Sequence, residues 1–121
     1  INLMSEQFNS FTSPIEKEVV EQIEQLNLST IQKLHLKLLA HCLGIFKVIS
    51  TQSKVDFPTE KLLRDWCVKE SQKLEDKEFS KLLYTQMDAA GQKILDYSQK
   101  IEKRPLELTL EDLIQLTSAE A

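Results

Sequence analysis

The sequence predicts an all-α fold: an antiparallel bundle of four main helices plus a short C-terminal helix. Three observations predict it. Apolar residues recur at three- and four-residue spacing through most of the chain, as the buried stripe of an amphipathic helix requires. Serine or threonine side chains stand where several of the helices would begin. With 2 glycines and 3 prolines among 121 residues, the chain has few turn formers, and it shows neither strand alternation nor a paired-glycine hairpin signal.

The first helix is announced by Ser13-Pro14-Ile15-Glu16, which offers a cap serine, a proline at the first helical position and a glutamate placed to close a capping box. Ile15, Val19, Ile23 and Leu26 then recur opposite Glu16, Glu18, Glu21 and Glu24, and the helix should stop near Asn27. Ser29 to Gln32 repeats the cap signal and opens a second helix, about 30–51. Its apolar residues cover roughly two-thirds of the circumference at about 100° per residue. A helix so apolar must be covered on several sides, which makes it the predicted centre of the bundle. His35 falls within its apolar seam, between Ile31 and Leu38, while the remaining arc holds Lys33, Lys37, Ala40, Gly44 and Lys47.

Residues 50–58 break the pattern. Pro58 disfavours helix at Phe57 and can itself open a third helix, which carries Leu62, Leu63, Trp66, Cys67 and Leu74 on one side. Were that helix to run on, Phe79, Leu82 and Leu83 would lie about 100–160° away from Trp66. A turn or kink at 73–77 is therefore expected, with Asp76 near the start of a fourth helix. That helix, about 77–103, is predicted to be the longest, striped by Phe79, Leu82, Leu83, Met87, Ala90, Ile94, Tyr97 and Ile101. Gly91 lies inside it at a cost of about 1 kcal/mol relative to alanine, which a close helix crossing would explain. Arg104-Pro105 ends the helix, and Thr109 caps a last short one carrying Leu110, Leu113, Ile114 and Leu116. The predicted organisation is a flexible arm (1–12), a bundle domain (13–104) and an acidic C-terminal helical segment (105–121).

Charge and motifs exclude most chemistry. A net charge of -4 argues against a general nucleic-acid or anionic-membrane binder, and no apolar run is expected to approach the roughly 20 residues that span a bilayer. Cys42 and Cys67 sit among apolar residues as reduced thiols do, and two cysteines make no disulfide scaffold. Without a signal-peptide pattern in the opening stretch, the expected location is cytoplasmic. Gln32 and Leu38 stand three residues before His35 and His41, so neither Glu-x-x-His pair of a di-iron site exists. His35 and Cys42 lie two turns apart, too far to share a zinc ion. No glycine-rich phosphate loop or nucleophile elbow is present. No cofactor, metal ligand or catalytic residue is therefore assigned. Lys69, Lys73, Lys77 and Lys81 recur every four residues, but Glu70, Glu75, Asp76 and Glu78 interleave with them, as on a solvated face.

The expected function is a non-enzymatic protein–protein interaction module (an adaptor, assembly factor or regulatory subunit) acting through a helical face as a homodimer. Candidate partner or dimer contacts are Phe8 and Phe11 in the arm, Ala40 and Gly44 on the second helix, Tyr84, Gly91 and Leu95 on the fourth, and Leu113 and Leu116 on the last. The last helix and the aromatic arm are the expected mobile contacts. The alternative is a small-molecule-sensing domain with an apolar pocket near His35, Phe46, Trp66 and Met87, where an imidazole would titrate near neutrality.

Overall fold

The computed structural model describes residues 17–73 and 77–119. Among them run α1 (Lys17–Glu24), α2 (Thr30–Ser53), α3 (Glu60–Gln72), α4 (Lys77–Lys100), a turn of 3-10 helix (Pro105–Glu107) and α5 (Leu110–Ala119), with no strand. The bundle of four main helices and a short last one is thus what the chain forms. Ser13, Pro14 and Ile15, the arm with Phe8 and Phe11, and Leu74 and Asp76 lie outside the described residues.

The starts of α2, α3 and α5 are set by side chains that take up orphan backbone donors. Ser29 accepts from the Gln32 N–H at 3.1 Å while the Gln32 side chain accepts from the Ser29 N–H at 3.0 Å, a complete capping box. Thr59 accepts from the Leu62 N–H at 3.2 Å and caps α3. Pro58 is therefore one residue ahead of the cap and holds Phe57 out of helix rather than opening α3 itself. At α5 the Thr109 hydroxyl accepts from the Asp112 N–H at 3.2 Å and the Asp112 carboxylate from the Thr109 N–H at 2.9 Å.

The ends depart from expectation by a few residues. α1 stops at Glu24, and Gln25 and Leu26 continue only as a turn that hydrogen-bonds back to Glu21, Gln22 and Ile23. α2 runs to Ser53, where Lys54 turns left-handed (φ 55°, ψ 46°) and both Lys54 and Val55 donate their N–H to the Ser50 carbonyl. α4 ends at Lys100, because Glu102 turns left-handed (φ 57°) and Lys103 donates back to the Ser98 carbonyl. It is therefore no longer than α2; both have 24 residues. α3 ends at Gln72 and α4 begins at Lys77, on either side of the point where the phase of the apolar stripe changes.

α2 is the central element: it packs against α1, α3, α4, the 3-10 turn and α5. Leu36, Leu39, Cys42, Phe46 and Ile49 of α2 are buried, as are Ile23 of α1, Leu63 and Cys67 of α3, and Phe79, Leu83, Met87 and Ile94 of α4. α3 and α4 form an intimate hairpin, tied across its surface by the Arg64 guanidinium, 4.1 Å from the centre of the Tyr84 ring. Leu82, expected in the α4 stripe, is 48% exposed. Leu82 and Leu83 point about 100° apart, and on α4 the buried stripe takes in Leu83 but not Leu82.

By length and composition α2 is apolar enough to cross a bilayer, which corrects the expectation that no segment is. Half of its most apolar window is buried inside the bundle. Burial of this kind is what a central helix of a bundle receives.

Candidate interaction surface

Along one side of α2, Ala40, Gly44 and Val48 recur every four residues and so share a face. Ala40 and Gly44 are half-buried, and Val48 is 43% exposed. The elements flanking this face come from distant parts of the chain: Val19 from α1, Leu106 and Leu108 around the 3-10 turn, and Leu110 and Leu113 from α5. Between them lies an open, mainly apolar groove of about 640 Å³. Lys47, Leu106 and Glu107 also line a second hollow of about 480 Å³ at the C-terminal end of α2, so the two are stretches of one trough.

The second stretch adds charged side chains to an apolar lining. Lys47, Lys54 and Arg104 bring three cations to it, with Asp56 and Glu107 as the acids. Arg104 is already engaged, donating to Asp56 at 2.8 Å and lying 4.0 Å from Glu107. Lys47 and Lys54 make no ion pair among the described residues. Ser50 belongs to the same wall, is 3% exposed, and its Oγ has no hydrogen-bond partner among the described residues.

The C-terminal segment forms one bank of this groove and is not a free contact. Leu108, Leu113 and Leu116 are 2%, 2% and 4% exposed, packed toward the core that α2 centres. Leu113 and Leu116, expected as mobile partner contacts, are instead core residues. Their amphipathic spacing marks a face that needs covering but does not say that α2 covers it. Lys103 donates to Asp112 at 2.7 Å and pins the cap of α5 to the end of α4. That bond, with the Thr109 backbone N–H, holds the Asp112 carboxyl below the usual carboxylate range.

Other predicted positions fall elsewhere. Gly91 is buried, its Cα facing the Phe46 and Phe57 rings, which meet at 5.2 Å between centroids. The nearest neighbours there are aromatic side chains of α2, which packs against α4, and of the α2–α3 loop. Tyr84 and Leu95 are half-buried, and Tyr84 lies beneath Arg64. His35 is exposed, Phe46 and Met87 are fully buried and Trp66 is half-buried, so the four proposed pocket residues do not share one environment.

The buried histidine is His41, 6% exposed. Burial pushes its pKa below 6.5, and the nearby Lys37 ammonium acts in the same direction. Glu24, by contrast, is held below the usual carboxylate range by its hydrogen bond from Lys37, which ties α1 to α2. Cys42 and Cys67 are free and buried, and desolvation pushes both thiols up to about 12. Such thiols are protonated at neutral pH and behave as small apolar side chains. The lysine stripe is divided between α3 and α4, where Lys73 pairs with Glu70 at 3.0 Å and Lys81 with Glu78 at 3.9 Å.

Fold and groove define the class: a small all-helical domain whose most distinctive feature is a recessed trough on its outside. The chain belongs to the family described as NDH complex assembly factor CRR9, whose model matches residues 15–121. Membership of this family supports an assembly-factor role. No curated protein and no solved structure matches the chain.

Proposed function

We propose that this chain acts without catalysis, holding a protein subunit of an NDH complex against its helical surface while that complex is put together. The observation that carries the reading is the family match over residues 15–121, nearly the whole chain. The trough beside α2 supports it, because an open apolar recess rimmed by charge is a common setting for protein recognition. The protonated, core-packed thiols of Cys42 and Cys67 fit the same reading, since a nucleophilic thiol needs a depressed pKa and access to solvent.

Two measurements test it. Cells lacking the chain should accumulate less assembled NDH complex on native gels, and the tagged full chain should recover NDH subunits identified by mass spectrometry. Unchanged amounts of the assembled complex, or recovery of no NDH subunit, would refute the proposal.

A further inference from the structure

We infer that the trough along Ala40, Gly44 and Val48 is the docking site for an amphipathic, net-acidic helix of the protein subunit that this chain assists. The inference rests on the assembly-factor reading and specifies where, and by what chemistry, the client is held. The small side chains at positions 40 and 44 set the floor. Without bulk there, a second helix axis can approach α2 at the close end of the usual 8–10 Å range. The groove of about 640 Å³ takes several aliphatic side chains of one helical edge, and Val48 already offers 43% of its surface to them.

Charge chooses the sign of the guest. The chain as a whole is acidic, at -4, yet the charged end of the trough gathers Lys47, Lys54 and Arg104 against Asp56 and Glu107. Among the described residues Lys47 and Lys54 make no ion pair, while Arg104 takes up the acids. Lys47 stands on the last turns of α2 and Lys54 is the left-handed residue that closes it, so both ammonium groups reach the same end of the trough. Carboxylates along the polar edge of a guest helix would pair with them. Ser50 adds an independent sign that something polar belongs there. Its hydroxyl is buried in the wall without a partner among the described residues, and a buried unsatisfied polar group is costly until a partner arrives. The hydroxyl would donate a hydrogen bond to a guest carboxylate, and the contact would form in a partly desolvated recess where charge-assisted bonds are strongest.

The test uses the full chain carrying a benzophenone amino acid in place of Val48 and an affinity tag, irradiated in an extract of its host cells. Cross-linked peptides are then sequenced. The expected peptide comes from an NDH subunit, has apolar residues at helical spacing and is net negative. In a K47E/K54E background the yield of that cross-link should fall about tenfold, as charge reversal at an interface predicts, with an unchanged melting temperature showing that the fold persists. Several outcomes would overturn the docking site: a cross-link to residues 1–16 of the same chain, to a second copy, to a basic or non-helical segment, or to no protein. If the tag recovers NDH subunits while Val48 does not cross-link to them, the trough is wrong and the assembly reading stands. If no NDH subunit is recovered, the assembly reading itself fails and the docking inference with it.

Discussion

Gly91 shows how a single position can be read two ways. Within a helix it costs stability through backbone freedom, and a glycine kept there suggests that a side chain would not fit. The space decides otherwise: a Cβ at this position would meet Phe46 at 3.5 Å and Phe57 at 3.6 Å, ordinary contact distances. Gly91→Ala should therefore stabilise the protein, by about 0.5–1 kcal/mol, read as a higher denaturation midpoint in urea. His41 makes the second residue-scale prediction. Its pKa is depressed in the folded state, so the unfolded chain binds more protons once pH drops below about 6.5. Stability should decline as pH falls from that value toward the lowered folded pKa and level off below it. His41→Gln should flatten this part of the profile, measured by chemical denaturation between pH 7 and 5. The lowered carboxylates of Glu24 and Asp112 act in a separate, more acidic window.

Elements were legible where local chemistry alone specifies them. The capping box at Ser29 and the Thr109–Asp112 cap follow from side chains within three residues of one another, and the end of α3 at Gln72 from the phase of the apolar stripe. What stayed hidden depended on contacts between distant segments. α2 is apolar around so much of its circumference that periodicity cannot say which arc stays wet. Hence Ile31 and His35, one turn apart, are exposed, while His41 is buried. The Ala40 and Gly44 strip was visible in the sequence, but the groove it floors is not, because its far bank comes from residues more than 50 positions along. Lys54, which closes α2 in a left-handed turn, had no signal because glycine is the usual residue there. At the α5 start, Thr109→Ala removes the hydroxyl that accepts from Asp112. The substitution should cost about 1 kcal/mol, detected as a lower melting temperature with an unchanged far-UV spectrum below the transition.

At the scale of the whole molecule, the C-terminal segment proves integral. Leu108, Leu113 and Leu116 are all buried, and each buried leucine contributes about 1.5–3 kcal/mol. Their combined share is of the order of the 5–15 kcal/mol that holds a typical domain together. Removing residues 105–121 should therefore abolish the cooperative thermal transition, rather than trim an appendage from an intact bundle. A truncated chain that melts with an undiminished, sharp transition would show that the remaining helices are self-sufficient. The same deletion removes one bank of the trough, so capture of a client by such a truncation cannot separate binding from folding; substitutions at Lys47 and Lys54 can.

The position of α2 has a kinetic corollary. Because this helix is packed by every other helical element among the described residues, no partial fraying of α1, of the α3–α4 hairpin or of α5 lays it bare on all sides. Its central amides should be the last to take up deuterium from heavy water, at a rate set by global opening, while those of the peripheral helices exchange through smaller excursions.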